Sequence, residues 1–366
     1  MLSVLVTQRR LSDIAKDKYR FIFLLKVFIL IMKLGIALSE VDTWHFFQDL
    51  YDDFKTRYEV DLFHYQRTKF PFFKKRIDQR LFRSKLEKFL QSQDVVFFEW
   101  ASGLLAATTH FPKVCGIVTR LHRYEMYQWV DKINWEAVDK IILVSEAKKR
   151  EFVEKFPGQI DKIVISGPST SLDKFTPKSK TFKGDIGILC NLTPRKRVYD
   201  LLITFYELLQ QNNNLHLHIA GGADPAFEDY YYALQSIVVD LGMQDKVVFY
   251  GNVKDTWNWY HKIDIFISNS YSEGLQVAPM EAMASGCYCL SHHWRGAEEL
   301  LPSDYLFYTN TELQVKILQY CNLSDAQKLE QKKCMRELAK EKFDINQTIK
   351  QVVSTVDEVA AMYKSR

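Results

Sequence analysis

Asp264-Ile-Phe-Ile-Ser-Asn-Ser-Tyr-Ser-Glu273-Gly-Leu-Gln-Val-Ala-Pro-Met-Glu281-Ala-Met-Ala-Ser-Gly286 is the stretch that decides how this chain folds. A short apolar run ending near Ser268 reads as a buried strand, a polar loop follows, and a helix begins near Val277. Pro279 suits a first helical turn, where a missing N–H costs nothing, and Gly286 suits the left-handed position that closes a helix. Such a turn leaves the amides of Gly274, Leu275 and Gln276 unpaired at the positive end of a helix dipole, a setting that favours a phosphate. Glu281, read as lying in the first turn, is expected to face the same crevice. Its two carboxylate oxygens could then accept from both hydroxyls of a ribose.

The same strand–loop–helix rhythm runs through the chain and indicates parallel sheets covered by helices. In the first half the expected strands are Leu34–Ala37, Val60–Phe63, Val95–Phe98, Val114–Val118 and Lys140–Val144, with helices near Trp44–Arg57 and Gln79–Gln91. In the second half they are Ile186–Leu189, Leu215–Ala220, Val247–Tyr250, Ile263–Ser268 and Cys287–Ser291. Val198, Leu201, Leu202, Phe205, Leu208 and Leu209 recur at helical spacing after the Ile186 strand. A Gly-, Pro- and Ser-rich segment from Gly167 onward marks a linker, with the hinge expected near 174–184. The expected organisation is an extension over 1–31, a first domain over 32–178, a second over 179–344, and a C-terminal helix over 345–366. That helix carries an apolar stripe from Ile345 to Tyr363, to be packed back on the first domain.

The chain has 366 residues, 47% of them hydrophobic and 26% charged. This is globular composition and argues against disordered, collagenous and coiled-coil classes. The net charge is +4, but Arg67 to Lys88 holds nine Lys/Arg against Asp78 and Glu87, leaving the remainder slightly acidic. That stretch is read either as a solvated helix face or as a contact for an anionic membrane surface or acceptor. No nucleic-acid-binding motif accompanies it. Six scattered cysteines form neither a CxxC pair nor a zinc spacing, which fits a reducing, cytoplasmic setting. Phe21 to Leu38 is apolar but broken by Lys26 and Lys33. A signal-anchor, a cleaved signal and a plain extension over 1–31 all stay open, and the strand beginning at Met32 favours the extension.

The pair Glu273–Glu281, with seven residues between, resembles the E-x7-E signature of retaining GT-B glycosyltransferases, family 4 in particular. The resemblance extends through Phe249-Tyr-Gly-Asn-Val253, Asn191-Leu-Thr-Pro-Arg-Lys196 and Gly296-Ala-Glu-Glu-Leu, and so covers the second half. It implies an α/β, GT-B architecture: two Rossmann-like domains facing a central cleft. It also implies transfer of a sugar from a nucleotide-sugar donor to a glycan or lipid-linked acceptor, in cell-surface polysaccharide or glycolipid biosynthesis. The rival readings are a non-catalytic sugar-nucleotide-binding scaffold and a nucleotide-sugar epimerase.

By the same resemblance, Lys196 meets the donor diphosphate, Glu273 the donor sugar and Glu281 the ribose. His122, in Arg120-Leu-His122-Arg-Tyr-Glu125, lies near the transferred sugar, while Gly274, Leu275 and Gln276 offer amides to the donor. Two departures stand out. Asn191 occupies the place of a family Arg, with Arg195 or Arg197 as candidate replacements, and Ala37-Leu-Ser-Glu-Val-Asp stands where a Gly-rich turn is expected. There is no D-x-D motif, so neither a metal nor a cofactor is expected beyond the nucleotide-sugar substrate. The expected location is cytoplasmic, with peripheral contact at the inner membrane face through Arg67–Lys88 as the open alternative.

Overall fold

The computed structural model describes residues 32–38, 44, 47–63 and 74–364. The readings placed on 1–31, on most of the Ala37–Asp42 turn, and on Arg67–Phe73 lie outside the described residues. Two parallel six-stranded sheets form the frame. The first comprises β1 (Lys33–Ala37), β2 (Glu59–Phe63), β3 (Val95–Phe98), β4 (Gly116–Leu121), β5 (Lys140–Leu143) and β6 (Ile163–Ile165), in the order β2-β1-β3-β4-β5-β6. The second comprises β7 (Asp185–Leu189), β8 (His216–Ala220), β9 (Val247–Gly251), β10 (Ile265–Ser268), β11 (Tyr288–His292) and β12 (Leu306–Phe307), in the order β12-β11-β10-β7-β8-β9. This is the α/β, two-sheet architecture that the sequence implies.

The order locates the functional end of each sheet. In an open parallel sheet the loops on either side of the point where the strand order reverses diverge, and a crevice opens at the carboxyl ends of those strands. In the second sheet that point lies between β7 and β10, so the crevice is walled by the loops Cys190–Arg197 and Asn269–Gln276. In the first it lies between β1 and β3, and Glu99 and Trp100 follow β3 directly.

Burial explains why these segments form these elements. Helix Val198–Leu209 turns Val198, Leu201, Leu202, Phe205 and Leu208 onto β7, β8 and β10, all of them at most 1% exposed. The C-terminal helix Ile345–Lys364 lays Val352, Val356 and Val359 among Leu34, Ile36, Phe97 and Val118 of the first sheet. Gly116 permits that approach, because a Cβ there would sit 2.5 Å from Val359. Tyr58 Oη donating to Asp357 (2.9 Å) and the Lys140–Glu358 pair (2.7 Å) fix the helix from outside.

Several expectations are corrected. The Val114–Val118 strand is displaced: Val114 is 48% exposed, and β4 runs from Gly116 to Leu121. Arg120 and Leu121 therefore belong to the strand, and only at His122 does the chain leave it. Strands β6 and β12, three and two residues long, were not expected, since so few residues show no periodicity. After β8, two glycines stand where no side chain would fit. Gly221 has φ +125° with the Cys190 carbonyl in the place of a Cβ, and a Cβ on Gly222 would meet Asn252 at 2.5 Å.

Candidate active site

The loop after β7 and the loop after β10 converge on one carboxylate. Pro194 opens a short 3-10 turn over Pro194–Lys196, and Arg197 follows in the left-handed conformation (φ 52°). The turn aims two successive cations the same way. Lys196 Nζ lies 2.8 Å from Glu273 Oε1, and Arg195 Nη1 donates to that same oxygen and, at 2.8 Å, to the Ser272 carbonyl. Burial alone would raise the Glu273 carboxyl, but Lys196 and Arg195 outweigh it and hold the group down at about 2. Two guanidinium and ammonium charges on one carboxylate leave a surplus of one positive charge at this end of the cleft.

Gln276 locks the loop. Its carbonyl accepts from the Ser268 hydroxyl and its amide donates to Ser270 Oγ at 3.0 Å, all within the protein interior. Its side chain is thereby committed to the loop, which leaves its backbone N–H as the group it could offer a ligand. Helix Val277–Ala284 then begins with Gln276 as its N-cap and ends before Gly286 (φ +79°), as the sequence indicates. The amides of Gly274, Leu275 and Gln276 stand at its N-terminal end, where backbone N–H groups and the helix dipole favour negative charge.

Two sequence-predicted residues fall elsewhere. Asn191 is exposed at the head of the β7 loop, and Arg195 rather than Asn191 brings the second cation to Glu273. Arg197, the other candidate replacement, reaches Asp200 and Asn310 instead. Glu281 is the fifth residue of its helix, not part of the first turn. Its carboxylate lies 2.9 Å from the Tyr260 hydroxyl, which is also 3.0 Å from the Ala278 carbonyl. Burial pushes the Glu281 carboxyl up to about 7, against the downward pull of Tyr260 and Lys174. Tyr260 has a single hydrogen between two acceptors, the Ala278 carbonyl and the Glu281 carboxylate, so its help to the ionised carboxylate is shared and does not offset burial.

The first domain closes the site from the other side. Arg123 Nε donates to Ser272 Oγ at 2.8 Å, and a Cβ on Gly274 would lie 3.4 Å from Arg123 Cβ. This sets His122 beside the Glu273–Gly274 turn. His122 is the N-cap of helix Arg123–Gln128; its amide donates to Glu125 Oε2 (3.1 Å), and its Nε2 is 3.3 Å from Glu99 Oε1. Further toward the hinge, Glu299 spans the two domains: its oxygens accept from the amides of Glu146 (2.7 Å) and Ala147 (2.8 Å), at the start of helix Glu146–Lys155. The roles of Arg123 and Glu299 carry no periodicity or spacing that a sequence reading could use, since both depend on how the domains meet.

Residues 183–320, most of the second domain, match the family model "Glycosyl transferases group 1". The chain superposes on HepE of Anabaena, solved with UDP and glucose, with a TM-score of 0.73 at 16% identity, covering 89% of this chain and 99% of that one. This is a GT-B glycosyltransferase fold. A second structural match is a glycosyltransferase from Rickettsia africae, with a TM-score of 0.71 at 14% identity over 90% of this chain and 99% of that one. Among curated relatives, a lipopolysaccharide core mannosyltransferase of Rhizobium leguminosarum is 32% identical over 79 residues, 22% of each chain. The matched stretches span less than half the length of the curated relatives, from 18% to 47%. The GT-B cleft of this chain thus holds, on opposite walls, the Lys196–Glu273–Arg195 cluster and His122.

Proposed function

We propose that this protein transfers a sugar from a nucleotide-sugar donor to a glycan or lipid-linked acceptor with retention of anomeric configuration. The observation that carries the reading is the convergence of Arg195 and Lys196 on buried Glu273, beside the amides of Gly274–Gln276. Breaking the sugar–diphosphate bond builds negative charge on the leaving phosphate, and preorganised cations and amides are the groups that stabilise it. Lys196, Arg195 and the loop amides take that role. Glu273 holds hydroxyls of the donor sugar, Glu281 those of the ribose, and His122 orients the sugar or its acceptor from the facing domain. The acceptor oxygen forms its bond on the face the diphosphate leaves, and its proton passes to the departing phosphate oxygen. Contact between the domains excludes the water that would otherwise hydrolyse the donor. The reading needs no metal, because cations of the chain meet the diphosphate; EDTA is expected to leave the rate intact, and a loss restored by Mg²⁺ or Mn²⁺ would overturn that part.

Work on a surface-carbohydrate or lipid-linked acceptor suits a peripheral position at a membrane. No helix among the described residues is long and apolar enough to cross one. Helix Lys74–Gln91 supports peripheral contact: Leu86 and Leu90 are buried beneath it, while Arg80, Arg83, Lys85 and Lys88 are exposed. The decisive assay follows free nucleoside diphosphate with and without candidate acceptors. Release that depends on acceptor supports a transferase; tight donor binding with no release under any acceptor would instead mark a sugar-nucleotide-binding scaffold.

A further inference from the structure

In the first domain the carboxyl ends of β3 and β4 carry a charged cluster at a depth where charge is expensive. The two strands pair in register up to Phe98 and Thr119, which sets Glu99 opposite Arg120. Glu99 is 0% and Arg120 2% exposed. One oxygen, Glu99 Oε1, receives both Arg120 Nη1 (3.1 Å) and His122 Nε2 (3.3 Å). The Trp100 ring lies against His122, with centroids 4.2 Å apart and planes inclined by 31°. Among the described residues, Glu99 Oε2, Arg120 Nε and Nη2, and Trp100 Nε1 have no hydrogen-bond partner. An ion pair this deep, with three of its five side-chain polar atoms unpartnered, is a poor source of stability, and well-packed apolar side chains would serve the fold at least as well.

We infer that Glu99 is a positioning residue that sets the tautomer and plane of His122. Arg120 is the counter-ion of the Glu99 carboxylate in the interior, at 3.1 Å. An ionised carboxylate only accepts hydrogen bonds, so the His122 nitrogen facing it must carry the hydrogen. Neutral His122 is then the Nε2–H tautomer, with its lone pair on Nδ1, and Trp100 restricts the ring to one plane. That Nδ1 lone pair faces the backbone N–H of Glu125 in the capping box that opens helix Arg123–Gln128, so helix cap and carboxylate hold the same tautomer from opposite sides of the ring. Supporting partners of this kind typically change activity by about ten- to a hundredfold when removed.

The inference rests on the placement of His122 at the reacting sugar, and its test separates the two. The wild-type protein with ¹⁵N-labelled histidine is studied by long-range ¹H–¹⁵N correlation at about pH 8, above the ordinary histidine range, with His122 assigned from the spectrum of His122→Asn. The expected signature is a protonated Nε2 and a bare Nδ1. Glu99→Gln, whose amide can face His122 with either N–H or C=O, is expected to give mixed tautomers and a roughly ten- to hundredfold lower kcat at unchanged donor KM. An Nδ1–H tautomer in the wild type, or a folded Glu99→Gln with full kcat, overturns the inference. Should Glu99→Gln not fold, the wild-type spectrum alone decides. If the tautomer is as expected but His122→Asn retains the full rate, the placement of His122 at the reacting sugar fails while the positioning by Glu99 stands.

Discussion

Glu281→Gln is the substitution in which the chemistry of the site and the stability of the fold are read together. In the folded protein the Glu281 carboxyl is raised, chiefly by burial, from 4.5 to about 7. When the chain unfolds, the group returns to its ordinary value. Between those two pH values the unfolded chain releases a proton that the folded chain keeps, so stability is fully present below 4.5 and is lost as pH rises toward 7. At about 1.4 kcal/mol per pH unit the loss reaches about 3 kcal/mol. That is an upper figure, because part of the Glu281 side chain stays in contact with solvent. Glutamine retains the shape and can donate to Tyr260 without ionising, so the variant lacks this loss. Urea unfolding of both proteins from pH 4 to 8.5 is expected to show equal stability at the acid end and a growing advantage for the variant through pH 7. Donor binding is expected to reverse the balance: if ribose hydroxyls donate to the ionised carboxylate, as proposed, the wild type binds more tightly as pH rises through 7 and releases a proton on binding. The variant is expected to bind donor about ten- to a hundredfold more weakly, the worth of a charge-assisted hydrogen bond. A stability difference that stays flat across this window would refute the burial argument, and unchanged donor affinity would remove Glu281 from the ribose site.

Lys196→Ala is expected to lower kcat more than it raises donor KM, because leaving-group charge peaks in the transition state; equal rates for variant and parent would exclude it. Glu299→Gln weakens a two-point charged cap joining the domains and is expected to cost about 1–3 kcal/mol and to enlarge the radius of gyration in small-angle scattering. No change in either would show that the contact does not hold the domains together. Anionic vesicles are expected to retain the full chain at low salt and release it at high salt, since each basic residue near the surface contributes about 1 kcal/mol that screening removes; retention insensitive to salt would contradict a role for the basic face of helix Lys74–Gln91.

The second domain was legible because its signals are local. Strand, loop, Pro279 and Gly286 follow one another within the stretch quoted first, and each has a backbone reason to be where it is. The 3.6-residue recurrence from Val198 to Leu209 likewise marks the helix behind the β7 loop. What stayed hidden depends on distance in sequence. Glu99 meets His122 only because β3 and β4 pair in parallel, and Tyr260 meets Glu281 only because two helices pack side by side. The β4 boundary slipped because Val114 and Cys115 look like strand residues, whereas packing against Val359 starts the strand at Gly116. Asn191 stands in the place of a family Arg, and only the turn at Pro194, which brings Arg195 to Glu273, shows which neighbouring cation lies at that carboxylate.

Arg195, Lys196 and Glu273, with the following loop amides, are proposed to form a nucleotide-sugar diphosphate site. Isothermal titration of the wild type and of Lys196→Ala with UDP, GDP and ADP tests it most directly. One nucleoside diphosphate is expected to bind the wild type without added metal, and Lys196→Ala, with one fewer charged hydrogen bond, to bind it about tenfold or more weakly. Absence of binding by all three, or affinity unaltered by Lys196→Ala, would contradict the account.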